Sequence, residues 1–434
     1  MHFLSWVRRK GFWVCDQFLM QGEHWKFYKE VRDAYLYGTD AEAVRCKTEK
    51  LLAHASATTR FYASYKGVRE LEKFPVMNKT DYQQKWNDFV SSAYADDSRC
   101  HIESTSGSTG MPLEILYDQR KSRRRNGASI FLNTLADYRI GDRQAYLRVW
   151  TNRVRKSFLQ KAMINMITVD TANLDEEHLR EICEILQKKH VSAIAGYASS
   201  LNMLALYIRD HGIDCSGWGI RSITSTSEAM SPNIRSLLQK QFCCTVSSVY
   251  GAEEFGTAGI QMKDSDDYYM DTSGIFYEVL KMEEDIPAGD GEPGRLVITD
   301  LYNYAFPLIR YENGDIVVRK TVKMDGGRYQ QYFTQIYGRK TDVIYDTGGQ
   351  PVSPHAISIK MWSIQNISQW KFVQTGEKTY RFVINGGQAD EIYLSRLVCE
   401  ELGSDAEISF EYVDEIPVLN SGKRKYIENL YRPD

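Results

Sequence analysis

The chain has 434 residues, 43% hydrophobic and 26% charged, with a formal net charge of −3. That length can bury a large core and predicts two or three domains, and the composition excludes wholesale disorder. The near-neutral charge gives no reason to expect nucleic acid or an anionic membrane as the main partner. The eight cysteines show no CxxC spacing, which argues against a disulfide framework or a zinc site.

In chain order, MHFLSWVRRKGFWVCDQFLM comes first. Arg8, Arg9 and Lys10 interrupt its apolar residues, and no small-residue cleavage site follows. It reads as an amphipathic helix covering part of a domain, in preference to one lying on a membrane. No run is long and apolar enough to cross a bilayer, so a cytoplasmic protein without stable membrane insertion is expected. DAEAVRCKTEKLLAHASAT has helical apolar spacing. In FPVMNKTDYQQKWNDF, Pro75 opens an extended segment, and Asn78 or Thr80 can cap the next helix.

From about residue 100 the pattern alternates. QAYLRVW is a strand, LDEEHLREICEILQKK a helix, VSAIAGY a buried strand and SSLNMLALYIRDHG a helix. SITSTS, the helix SPNIRSLLQKQF with Pro232 just inside its start, and VSSVYG complete the series. This rhythm predicts a mainly parallel sheet covered by helices. Residues 265–335 instead read as antiparallel meanders, and the last hundred residues as a separate α+β unit. The fold class is therefore α/β. A large N-terminal domain (1–337) holds mixed sheets flanked by helices with an antiparallel β subdomain, and a small α+β C-terminal domain (338–434) follows. The boundary falls at Gly338 to Asp342.

Chemistry-bearing stretches punctuate this frame. In HIESTSGSTGMPLEI, Ser104 to Gly110 are only serine, threonine and glycine. Such a loop can turn N–H groups and hydroxyls toward an anion, yet by itself it reads equally as a surface turn or hinge. A strand follows it and no lysine lies inside it, so it is not a P-loop. YGAEEFG ends a predicted strand, where parallel sheets carry ligand sites, and its carboxylates could hold a divalent cation or merely decorate a turn. Asp315 in FPLIRYENGD could accept from sugar hydroxyls or close a turn. Arg339 in YGRKTD could reach a ligand or link domains. Lys423 in IPVLNSGKRKY sits in a polar turn of the kind usually exposed to solvent.

Taken in order, these stretches resemble the adenylate-forming superfamily of acyl-CoA synthetases, luciferases and adenylation domains. The resemblance is closest to the short phenylacetate–CoA ligase-like branch, which includes members linked to capsular polysaccharide synthesis. STSGSTGMP looks like the family's phosphate loop, YGAEE like its Tyr-Gly-x-x-Glu motif, RYENGD like the ribose segment, YGRKTD like the hinge and NSGK like the loop of the catalytic lysine. ITSTSEAMSP, GEPGRLVITDL and FPVMNKTD are similar to the adenine-flanking segment, the strand before the ribose motif and a motif of the short branch.

The resemblance implies an AMP-forming acid ligase, an acid–thiol ligase in the first place, that uses ATP and Mg2+. It activates a carboxylic acid as an acyl-adenylate and passes it to an acceptor, CoA or an amine such as an amino sugar in surface-polysaccharide synthesis. A non-catalytic nucleotide-binding homologue is the remaining alternative, and a homodimer is left open. Ser106, Gly107, Ser108, Thr109 and Gly110 would take the phosphates. Ser227, Glu228, Ala229, Tyr250 and Gly251 would border the adenine, and Asp315 and Arg339 would bind the ribose. Glu254 would hold the metal, and Lys423 would bridge carboxylate and α-phosphate. Tyr197 and Ser200 would wall the acid pocket, and Thr341 would mark the hinge of a mobile small domain. The chain departs from the pattern in three places: Met111-Pro112-Leu113 where many relatives carry a lysine, Glu253 in place of Thr or Ser, and Thr341 in place of the common aspartate.

Overall fold

The computed structural model describes residues 2–105, 112–150, 158–227, 230–339, 343–352, 357, 361, 364, 367–416 and 426–431. A 13-stranded sheet organises the first 339 residues. One half is parallel: Met166–Asp170, Gln144–Arg148, Ala193–Tyr197, Ser222–Thr226 and Thr245–Ala252 lie side by side in that order. The other half is antiparallel and runs from Gly256–Gln261 through Tyr268–Met270, Arg328–Arg339, Tyr311–Met324 and Pro293–Asp300 to Ile275–Leu280. The switch of direction falls at Glu253–Phe255, between Thr245–Ala252 and its antiparallel neighbour.

Local chemistry accounts for the covering helices. In Glu176–Lys188, Asp175 caps the first turn by accepting from the His178 N–H. Leu179, Ile182, Cys183 and Leu186 then recur on one buried face. Ser231 caps Pro232–Phe242 in the same way through the Ile234 N–H, and Pro232 occupies the first position, where a missing N–H costs nothing. These two helices and Ala198–Asp210 bury one side of the parallel strands against Leu147, Ile194, Ile223 and Val246. The helix Gln119–Leu135 covers the opposite side, with Ala128, Phe131 and Leu132 packed on Ile260 and Tyr269. At 25–30 cal/mol per Å2 of apolar area, such faces stabilise the fold far more than helix propensity does.

Residues 344–427 build a core of their own. The four-stranded sheet Glu407–Tyr412, Thr379–Gly386, Ile367–Gln374, Ile427–Asn429 packs on the helix Glu391–Leu402 around Phe372, Phe382, Leu394 and Leu402.

The N-terminal stretch forms the expected helix, α1 (His2–Leu19), followed by α2 (Glu23–Tyr37). Only part of its apolar surface faces the protein: Phe12 and Trp13 pack on His24, Trp25 and Tyr28, whereas Phe3 and Phe18 are 71% and 81% exposed. Polar contacts fix this facing, for Arg9 pairs with Asp142, and Asp16 takes the N–H groups at the start of α2. No described helix is long and apolar enough to cross a membrane.

Candidate active site

The serine/threonine/glycine stretch joins two paired strands. His101–Ser104 runs antiparallel to Glu114–Tyr117, and the pairing closes with the Thr105 N–H on the Leu113 carbonyl and the Leu113 N–H on Thr105 Oγ1. Ser106 to Gly110 themselves lie outside the described residues, as do Glu228, Ala229, Thr341 and Lys423. What carries the loop is nevertheless well placed. The Tyr117 hydroxyl donates to the Glu253 carbonyl at 2.8 Å, tying the hairpin to the YGAEE turn.

That turn sits at the switch point of the sheet, the usual position for ligands in open α/β sheets. Gly251 pairs with Thr257, and a Cβ at residue 251 would collide with the Gly256 carbonyl, so only glycine lets the two strands close. Glu253 points its carboxylate at Arg125, 2.7 Å away, and Arg125 also holds Glu103 at 3.0 Å. The extra negative charge beside Glu254 is thereby compensated.

The remaining groups converge from four segments. The Tyr250 hydroxyl donates to Asp315 Oδ2 at 2.5 Å. Asn313 Nδ2 donates to the same oxygen at 2.7 Å and to the Tyr250 oxygen at 2.9 Å. Asp315 and Arg339 are direct partners across the antiparallel ladder, with Arg339 Nε 3.9 Å from Asp315 Oδ1. Glu254 is 5% exposed and accepts from the Tyr311 hydroxyl at 3.2 Å. Burial pushes its carboxyl above the usual range, while Arg339 and the Tyr311 hydrogen bond pull it back. Burial and the neighbouring Asp315 raise the Tyr250 phenol well above its ordinary value, so it stays a hydrogen-bond donor.

Two contributors had no role assigned from the sequence. Lys79 follows Asn78, which pairs with Glu312, and its ammonium feels both Glu254 and Arg339. Burial lowers its pKa, and Arg339 adds to that effect. Asn78 fixes the position through a capping box with Asp81, the cap expected at that position. Arg310 anchors the whole segment. Its backbone is left-handed at φ 47°, its guanidinium grips Glu278 at 3.0 and 3.1 Å and donates to the Phe74 carbonyl, and its own carbonyl accepts from the Met77 N–H. The signal for Lys79 was present in FPVMNKTD, but nothing local says that this segment crosses to the strand Tyr311–Met324.

A cavity of about 280 Å3 lies between the helix Gln119–Leu135 and the sheet. Ser129 and Asn133 of that helix, Tyr138, Tyr146, Thr224 and Thr226 contribute to its lining. Thr224 is 2% exposed, and its hydroxyl has no hydrogen-bond partner among the described residues. Tyr197 and Ser200 are outside this lining. Tyr197 caps Ala198–Asp210 and lies under the Arg148 guanidinium, which also sits over Tyr146. Ser200 is buried within that helix, and Ser227 follows its strand with a left-handed φ of 67°.

Among the described residues no group of three or more His, Cys, Asp or Glu could cage a metal. A magnesium ion fits a different arrangement, one or two carboxylates plus substrate phosphates. Glu254, buried with one oxygen on Tyr311, suits that arrangement.

The fold defines a class of architecture, that of solved adenylate-forming CoA ligases, as expected from the sequence resemblance. A 2-hydroxyisobutyryl-CoA ligase in its postadenylation state with R3-HIB-AMP superposes with a TM-score of 0.69 at 16% identity, over 89% of each chain. In sequence the chain is 23% identical to Protein CapK of Staphylococcus aureus, over 61% of this chain and 59% of that protein. It is also 23% identical to phenylacetate-coenzyme A ligase of Escherichia coli strain K12, over 65% of each. The chain thus spans less than two thirds of either relative's length. No family model matches it.

Proposed function

We propose that the protein activates a carboxylic acid with ATP, forming an acyl-adenylate and pyrophosphate, and then transfers the acyl group, with CoA as the first candidate acceptor. The observation that carries this reading is the convergence at the switch point of Tyr250, Asp315, Arg339 and Glu254, with the hairpin of the serine/threonine/glycine loop tied to the same turn. The named activities of the relatives, two CoA ligases among them, support it.

A carboxylate is a poor acyl donor because its leaving group would be an oxide. Attack of a carboxylate oxygen on the α-phosphorus breaks the bond to the bridging oxygen and releases pyrophosphate, leaving AMP as a good leaving group. The centre is crowded and anionic, so positioning and charge stabilisation do most of the work. In this proposal Asp315, presented by Tyr250 and Asn313, accepts from the ribose hydroxyls, with Arg339 beside it. Ser227, Glu228, Ala229 and Gly251 border the adenine. Ser106 to Gly110 grip the phosphates through N–H groups and hydroxyls. The cation that this loop lacks comes from Lys79 on one side and Lys423 on the other. Glu254 would hold Mg2+, which would neutralise phosphate charge when bound.

Residues 338–434 act as the small mobile domain and Thr341 as its hinge, so that closure brings Lys423 to the reacting atoms. The separate core around Phe372 and Leu394 supports that division. The acid occupies the cavity beneath the helix Gln119–Leu135, whose lining does not include the expected wall residues Tyr197 and Ser200. Its volume is at the small end of ligand cavities, which run from about 300 Å3 upward. The unpartnered Thr224 hydroxyl and the Asn133 and Tyr146 side chains favour a small acid bearing a hydroxyl or amino group over a fatty acid.

ATP–pyrophosphate exchange with a panel of hydroxy, amino, aryl and fatty acids tests this. Exchange is expected with a small polar acid. Bound nucleotide without exchange for any acid overturns the catalytic reading. An amide formed on an amine acceptor, with no thioester, would move the acceptor and leave the adenylation step standing.

A further inference from the structure

The outward face of α1 is unusual in its chemistry. Phe3, Val7, Val14 and Phe18 form one stripe, 71%, 42%, 54% and 81% exposed, with Leu4 and Leu19 beside it. Ordinary amphipathic helices turn such a stripe inward. Here the inward side is already occupied and fixed, with Phe12 and Trp13 packed on His24, Trp25 and Tyr28 of α2. Arg9 donates to the Ile140 carbonyl at 3.2 Å and pairs with Asp142, and Asp16 accepts from the N–H groups of His24 and Trp25. Gly141, at φ 92°, lets the α1 backbone approach so closely that a Cβ there would stand 2.9 Å from Arg9 N and Ser5 O. The helix therefore cannot roll its stripe inward without breaking these contacts.

Charge specifies what covers the stripe. Asp16 is the one carboxylate on α1 and is 3% exposed, so the exposed surface of α1 carries no negative charge. Arg8 and Lys10 flank the stripe, with the Lys10 ammonium over the Trp6 ring. A second copy of the chain would bring no carboxylate on this face to meet Arg8 and Lys10. Anionic head groups would meet them, and long basic side chains beside an apolar stripe reach that level readily.

We propose that α1 docks the protein on an anionic lipid bilayer, lying in the interface with the Phe3–Val7–Val14–Phe18 stripe among the acyl chains and Arg8 and Lys10 at head-group level. The inference rests on α1 and is independent of the reaction proposed above.

The test is cosedimentation of the full chain with phosphatidylcholine–phosphatidylglycerol vesicles and with phosphatidylcholine vesicles, together with light scattering in the absence of lipid. The expected result is preferential binding to the anionic vesicles that weakens as salt rises. Phe3→Ser with Phe18→Ser should lower that binding about tenfold or more without changing the melting temperature, because both side chains are exposed. Arg8→Gln with Lys10→Gln should erase the preference for the anionic vesicles. Failure to bind either vesicle, equal binding to both, or a dimer that the Phe3/Phe18 variant converts to monomer would each overturn the proposal.

Discussion

The two halves of the large sheet treat their polar groups in opposite ways. On the antiparallel side the charged groups are already engaged: Asp315 holds Tyr250 and Asn313, Arg339 stands across from it, and Arg310 is locked on Glu278. The parallel side instead faces a cavity with short hydroxyls, where Thr224 has no hydrogen-bond partner among the described residues. If the proposed reaction holds, the rigid, pre-paired end suits a nucleotide, which offers the same ribose and phosphates each time, and the unpartnered hydroxyl belongs to the end that distinguishes one acid from another.

Loosening the antiparallel half from its covering helix should have the largest effect. From the helix Gln119–Leu135, Lys121 donates to the Phe255 carbonyl and pairs at 2.5 Å with buried Asp300. Lys121→Met leaves that carboxylate uncompensated and should cost about 3–5 kcal/mol, read as a fall in the denaturation midpoint. An unchanged midpoint would mean that packing alone holds the helix on that half. Next, Lys423→Ala should lower pyrophosphate exchange at least about a hundredfold with an unchanged melting temperature. Asp315→Ala should raise KM for ATP by about tenfold to a hundredfold and leave KM for the acid unmoved. A shift in the acid's KM instead would break the division of labour.

Lys79→Ala should reduce kcat about tenfold, with Lys79→Arg restoring much of it if charge alone is needed. The smallest change belongs to the parallel side. Thr224→Val should alter the ranking of acids by up to about tenfold while ATP binding stays as it was.

The parts of this molecule that were legible in the sequence are those with local causes. Apolar spacing and caps such as Asp175, Asn78 and Ser231 announce their helices within a few residues, and the parallel and antiparallel regions differ in rhythm. The candidate site was legible as an ordered set of short motifs. What remained hidden depends on partners distant in sequence. Nothing near Glu253 names Arg125, nothing near Lys79 names Glu254, and the cavity lining is drawn from two helices and five strands. The facing of α1 escaped for the same reason. Its stripe is evident in the sequence, but the contacts that turn it outward come from Ile140, Gly141 and Asp142.

The clamp made by Arg310 also bears on how the site comes into being. Its guanidinium reaches the Phe74 carbonyl across 236 residues of chain, and the short strand carrying Asn78 pairs with Glu312. Contacts of such long range close late, after the loop entropy between them has been overcome. Lys79 therefore reaches its post beside Glu254 only when the antiparallel half is complete, so a chain with only its parallel half finished would have most of the cavity's lining in place and the convergence around Asp315 still unmade.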